Sequence, residues 1–240
     1  MAVIVIQSFL TENVPSWVTS CLASVRHWCE AKGYTWHFVG DELFDHVPSW
    51  YLDKTGHGPV AADYGRLVLL QEALASGDYD EAIWLDADTC ILDEAMTFAP
   101  VQSCAFGQEF WVQEDSGVLR VRKNVHNAAC VFKQGCMVLP FLAETVASII
   151  RRADPDHIAP QMVGPKLLSA LHSLYGFDLL PQAGALSPAV IDDLVAGGGP
   201  ALALMLEKTP VPLQCVNLCA SLVSESSADI VLANLDLLRR

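Results

Sequence analysis

The sequence predicts an α/β fold with a mainly parallel central sheet and helices on its faces. Three observations predict it. Short apolar runs alternate with longer stretches of 3.6-residue periodicity over residues 1–100, and the periodic stretches are bounded by proline, serine and glycine. The third apolar run then ends on a pair of carboxylates, and sheets of this class bind ligands beyond the carboxyl ends of their strands.

Val3 to Phe9 is a short apolar run, consistent with a buried parallel strand. Pro15-Ser16 opens a helix in which Val18, Cys21, Leu22, Val25, Trp28 and Cys29 recur with helical period, and Gly33 stands where a C-cap glycine belongs. Tyr34 to Val39, rich in aromatic and β-branched residues, predicts a second strand. A loop is expected over 40–58, then a helix from Ala61 to Ala75 that stops at Ser76-Gly77. Ala82 to Leu85 is the third strand. Downstream, Cys104 to Trp111 and Asn127 to Lys133 predict strands, and Leu139 to Arg151, Gly164 to Tyr175 and Ala228 to Leu238 predict helices. Gly197-Gly-Gly199 reads as a flexible loop, with a mobile lid as the alternative. With no internal repeat or boundary, residues 1–240 are expected to form one domain.

Composition narrows the class. A chain of 240 residues with 52% hydrophobic and 18% charged residues can bury roughly three quarters of its unfolded surface, so a large core is expected. The net charge of −14 argues against sequence-independent nucleic-acid binding, because a phosphate backbone would be repelled. Arg120 to Lys123, the longest basic run, alternates with valine like one face of a strand. The eight cysteines form no C-x-x-C pair, which argues against structural zinc; inside apolar segments they act as small hydrophobes. Ala2 to Ile6 is too short to span a bilayer and lacks a basic flank, so the expectation is a cytoplasmic protein without a transmembrane segment. So apolar a chain leaves room for a homodimer interface.

The sharpest chemical signal is Ile83-Trp-Leu-Asp86-Ala-Asp88-Thr89. Asp86 and Asp88, just past an apolar strand, can approach one divalent cation; Mg²⁺ and Mn²⁺ prefer oxygen ligands and keep sites open for phosphate oxygens. The plain alternative is a solvent-facing turn. Upstream, Asp63 and Arg66 in Ala62-Asp63-Tyr64-Gly65-Arg66 are i and i+3 neighbours on a helix, and Leu67, Leu70 and Leu74 turn that face inward. Such a pair can contact sugar hydroxyls or phosphate, or can be an ordinary intrahelical ion pair. The seven histidines form no ligand pair; His126, beside Asn127, is read as structural.

Together these residues resemble the GT-A glycosyltransferases, in particular the bacterial, yeast-mannosyltransferase-like and clostridial-toxin-like branches. The resemblance rests on Ile6-Gln-Ser-Phe9, Ala62-Asp63-Tyr-Gly-Arg66, Leu85-Asp86-Ala-Asp88 and Asn127-Ala-Ala, and covers most of residues 3–135. It implies a nucleotide-sugar-binding half over about 1–100 and an acceptor-side half over about 101–240. Phe9 would lie against the nucleotide base, Asp63 and Arg66 would hold the donor sugar, and Asn127 would reach that sugar. Asp86 and Asp88 would hold Mn²⁺ or Mg²⁺ and the ribose-diphosphate. Gln161-Met-Val-Gly164-Pro165 resembles an acceptor-side T-G-P segment without its threonine. Val216-Asn217-Leu-Cys-Ala-Ser221 resembles the part that closes over the diphosphate, with Asn217 where the family often has a histidine or acidic ligand. The resemblance implies a hexosyltransferase that uses a UDP- or GDP-sugar, retains configuration, and acts on a carbohydrate, lipid, metabolite or protein acceptor.

The rival from another class is a haloacid-dehalogenase-like phosphatase, with Asp86 as nucleophile and Asp88 as acid/base. It requires a late acidic pair after a strand, for which Asp192-Asp193 is the candidate. A nucleotidyltransferase would need a glycine-rich loop absent from residues 8–15, and a plain carbohydrate-binding module would not need two converging acid-bearing motifs.

Overall fold

The structure is a computed structural model that describes residues 1–239. A six-stranded sheet is built from β1 (Val3–Ser8), β2 (Thr35–Val39), β3 (Glu81–Leu85), β5 (Cys104–Asp115), β6 (Val118–Lys133) and β7 (Asp178–Leu180), in the order β2-β1-β3-β6-β5-β7. A second, three-stranded sheet is formed by β4 (Thr89–Ile91), β9 (Cys215–Asn217) and β8 (Ala183–Ala185). The pairings β1–β2, β1–β3 and β5–β7 are parallel, whereas β6 runs antiparallel to both β3 and β5. Eight α-helices flank the sheets: α1 (Ser16–Lys32), α2 (Ser49–Thr55), α3 (Pro59–Ala75), α4 (Val138–Arg152), α5 (Pro165–Tyr175), α6 (Pro188–Val195), α7 (Pro200–Lys208) and α8 (Glu225–Ala233).

The continuous apolar run of β1 has a direct cause. Ile4 and Ile6 point into the core shared with α3 and α4, and Val3 and Val5 point into the core beneath α1. Both faces are covered, so both side-chain sets are hydrophobic. At the end of α1, Gly33 takes the left-handed conformation (φ 70°) and its N–H reaches the carbonyls of Cys29 and Glu30, closing the helix as the sequence predicts. Pro59 opens α3 from its first turn, where the missing N–H costs nothing.

Several expected boundaries move. The loop expected over 40–58 contains a 3₁₀ turn at Asp41–His46 and α2, which is anchored by fully buried Tyr51 donating to the Val60 carbonyl at 3.2 Å. The two middle strands are much longer than read, because Ser116 (φ 54°) and Gly117 (φ 81°) make a tight two-residue turn that joins β5 and β6 into one hairpin. The expected terminal helix starts earlier and breaks at Asn234 into a 3₁₀ turn. Gly197-Gly-Gly199 links α6 to α7: Gly199 packs on the Asp193 carboxylate, which accepts the Leu202 N–H at 2.8 Å. Helices α6 to α8, part of α1 and the outer face of the hairpin bury a separate apolar cluster against the small sheet. Among the described residues, no helix is long and apolar enough to cross a membrane.

Candidate active site

β3 delivers Asp86 to the carboxyl edge of the main sheet. The Asp86 N–H donates to the Ala128 carbonyl on β6 at 2.8 Å, and its own carbonyl accepts from buried Gln7 on β1 at 3.3 Å. Gln7 in turn accepts from the Trp36 indole on β2 at 3.0 Å, so three neighbouring strands fix this point. The chain then turns, with the Thr89 N–H on the Asp86 carbonyl (2.9 Å), and enters β4. Asp88 sits in this turn, facing β9. Its Oδ1 accepts from Asn217 Nδ2 at 2.5 Å, and its Oδ2 accepts the Ala220 N–H at 2.7 Å.

The Asp86 side chain is held from the other side. Its Oδ1 accepts from the Trp84 indole at 2.6 Å and pairs with Arg66 Nη1 at 3.2 Å. Arg66 also pairs with Asp63 at 3.3 Å, donates to the Asn127 carbonyl at 2.7 Å, and lies 5.0 Å from the Trp84 ring centroid. Asp63 accepts from Asn127 Nδ2 at 2.7 Å. A chain of polar contacts thus runs Asn127–Asp63–Arg66–Asp86. Burial, and after it the Asp86 charge, raise the Asp88 carboxyl to about 6, against the lowering effects of the Ala220 and Asn217 donors. Burial likewise raises Asp63 to about 6, against the lowering effects of Arg66 and Asn127.

Asp86, Asp88, Asn127 and Asn217 line one cleft of about 700 Å³. Asp63 and Arg66 are not among its lining residues. They are buried one layer behind, where the Gly164 backbone packs so closely that a Cβ there would come within 2.7 Å of Asp63 Oδ2 and 3.2 Å of Asn127 Nδ2. Phe9 also stands apart from the lining; it follows β1 and packs, partly exposed, against the cluster containing Trp17 and Val18. Gln161 and Pro165 line the cleft, as do Cys219 to Leu222 after β9.

Sequence reasoning missed one wall. Glu109, Trp111 and Gln113 on β5 and Arg122 and Asn124 on β6 all border the cleft. Their period of two was the available signal, since the alternate residues Phe110 and Val112 on β5, and Val121 beside Arg122 on β6, pack into the apolar cluster on the other face. The phosphatase reading fails here: Asp192 and Asp193 lie within α6, not after a strand, and Asp193 is used to cap α7.

The residues present suit a cation only in one manner. Among the described residues, no group of three or more His, Cys, Asp or Glu could hold a metal ion, so a closed protein cage is absent. Two carboxylates at a cleft floor, one of them with a raised proton affinity, do suit a hard cation that takes its remaining ligands from phosphate oxygens and water.

No protein-family model and no curated protein matches the chain. Solved structures do. A glycosyltransferase involved in the glycosylation of the major capsid of PBCV-1 aligns over 96% of this chain and 98% of its own, with TM-score 0.52 and 11% identity. The galactosyltransferase LgtC, solved with donor and acceptor sugar analogues, aligns over 97% and 96% with 12% identity, at a TM-score of 0.47. At such identities the likeness to the first is one of fold, and the chain has the mixed α/β architecture with a mostly parallel central sheet expected of the GT-A type.

Proposed function

We propose that this chain is a metal-dependent glycosyltransferase of the hexosyltransferase class, taking its sugar from a UDP- or GDP-sugar. The observation that carries the reading is the pairing of Asp86 and Asp88 on the floor of the cleft, with Asn217 and the Ala220 N–H clasping Asp88. Asp86 and Asp88 would hold Mn²⁺ or Mg²⁺, which when bound offsets the charge that develops on a departing diphosphate. The segment after β9, which supplies Asn217 and Ala220, would lie over that diphosphate. The base would sit near the ends of β1 and β2, by Phe9.

We read Asp63 and Arg66 as positioning residues. Asp63 takes the Asn127 amide N–H, and Asn127, which lines the cleft, would use its Oδ1 to accept from a donor-sugar hydroxyl. Arg66 fixes Asp86 against the same strand. Residues 1–240 would work as one unit, with the nucleotide-sugar half over about 1–100 and the acceptor half over about 101–240. Retention of configuration follows from the resemblance alone. The eight free cysteines support a reducing, cytoplasmic setting.

Calorimetric titration of nucleoside diphosphates and their sugars, with and without Mn²⁺, tests the reading. Mn²⁺-dependent binding of one nucleotide, lost in an Asp86→Asn/Asp88→Asn variant, is the expected result. A wild-type protein that binds none of them overturns it.

A further inference from the structure

The hairpin wall carries a second pattern that the donor chemistry leaves unused. Directly across the β5–β6 ladder, Glu109 pairs with Asn124 and Trp111 with Arg122, so these four share one face. Asn124 Nδ2 donates to Glu109 Oε1 at 2.8 Å, which steadies both side chains. The opposite face is apolar and packed, so the polar composition of this one is not forced by the core. It borders the cleft instead.

Arg122 makes no ion pair among the described residues, although the chain carries 28 acidic side chains against 14 basic ones. Its neighbour Arg120 does find one, with Asp115. Trp111 is half-buried and has no aromatic or cationic partner among the described residues. Nearer the carboxylates, His126 is buried at the cleft wall. Its Nε2 donates to the Ala183 carbonyl at 2.9 Å, and its Nδ1 has no partner.

Distance separates this wall from the diphosphate. Asp86 is bonded to β6 at Ala128, and Arg122 lies six residue steps back along that strand, up to about 20 Å at 3.3 Å per residue. A diphosphate bound at Asp86 and Asp88 cannot reach that far. A donor sugar followed by an acceptor of two or more sugar units can.

We propose that the Trp111–Arg122 face is a distal acceptor subsite for a pyranose bearing an acidic group, carboxylate or phosphate. The flat C–H face of the ring packs on the indole, the acidic group pairs with the guanidinium, and Glu109, Gln113 and Asn124 take hydroxyls. This rests on the glycosyltransferase reading for its name, but its test needs neither nucleotide nor metal.

The test is direct binding of glucose, glucuronate and glucose 6-phosphate, read by saturation-transfer NMR and calorimetry. Glucuronate or glucose 6-phosphate should bind about tenfold more tightly than glucose; whichever gains more identifies the acidic group. Arg122→Gln should abolish that preference and keep glucose binding, and Trp111→Ala should lose all three sugars. Equal affinity for glucose and both acids, or no sugar bound, overturns the proposal. So does loss of Mn²⁺-dependent nucleotide binding in a folded Arg122→Gln variant, which would assign the cation to the donor. Sugar binding as expected in a protein that binds no nucleotide would keep the subsite and remove the transferase reading.

Discussion

Arg66 Nη1 lies 3.2 Å from Asp86 Oδ1 and donates to the Asn127 carbonyl at 2.7 Å, so one buried guanidinium ties the carboxylate ending β3 to the strand that carries Asn127. With Asp63 it makes a three-membered charge cluster in which the cation is outnumbered. Breaking a buried pair by removing one partner strands the other charge. Arg66→Met should therefore cost about 3–5 kcal/mol of stability. Arg66→Lys should keep the charge but lose the fork that reaches Asp63, Asp86 and the carbonyl together, at an intermediate cost. Urea melts of the three proteins check this; equal stability of Arg66→Met and wild type would mean that the guanidinium is solvated.

Asp63 gives stability a pH dependence. Its carboxyl is raised to about 6 when folded, chiefly by burial, against about 3.9 in an unfolded chain. Below about pH 4 both states hold the proton. Between about 4 and 6 the folded chain keeps a proton that the unfolded chain has lost, so stability falls as pH rises, by on the order of 3 kcal/mol, and levels off above that window. Asp63→Asn should flatten part of this slope while lowering stability overall, because Arg66 loses a counter-charge. Denaturant midpoints at pH 4, 5, 6 and 7 measure both; identical slopes would contradict it.

How much of this was legible in the sequence follows physical lines. The elements around Asp86 could be read because a strand buried on both faces is continuously apolar, and because Pro15 and Gly33 mark the ends of α1 by their backbone preferences. Asp63 and Arg66 could be placed on one inward helix face by spacing, but not behind the cleft wall, since that depends on where Gly164 crosses them 98 residues later. The small sheet was hidden for a similar reason. β4, β8 and β9 are three residues each and exist only because their pairing partners are brought together from distant parts of the chain. The length of the hairpin is masked in the sequence because residues 112–126 are interrupted by charged side chains, and only Arg120 to Lys123 shows the alternation of a strand face.

Asn217 allows a sharper test of the proposed donor site. Its amide donates to Asp88 Oδ1, and its own Oδ1 accepts the Cys219 N–H at 2.8 Å, so it both clasps the carboxylate and shapes the turn after β9. Asn217→Ala removes a charge-assisted donor from a buried carboxylate. Nucleotide affinity in Mn²⁺ should fall about tenfold, and the pH at which binding is lost should move upward, since Asp88 then holds its proton more tightly. Calorimetry across pH 5 to 8 reads both changes. A fall in affinity without movement of the pH profile would leave Asn217 a role in the turn alone.

Substitution of Gly164 is expected to separate nucleotide binding from sugar transfer. Any side chain there would collide with Asp63 Oδ2 at 2.7 Å and crowd the Asn127 amide at 3.2 Å. Both partners are fixed, Asp63 by Arg66 and Asn127 by Asp63, so neither can yield cheaply. In Gly164→Ala the segment leading into α5 must move outward, carrying Gln161 and Pro165 away from the cleft, or the Asn127 amide must turn. Either change disturbs the side of the cleft proposed to face the sugar and is expected to leave Asp86, Asp88 and Asn217 in place. Overpacking of this kind costs about 1–3 kcal/mol, too little to unfold a well-packed chain. We expect Mn²⁺-dependent nucleotide binding within about twofold of wild type, with at least a tenfold loss in the rate of sugar transfer or donor hydrolysis. A variant that loses nucleotide binding to the same degree as turnover would show that Asp63 and Asn127 serve the diphosphate end of the donor and not its sugar.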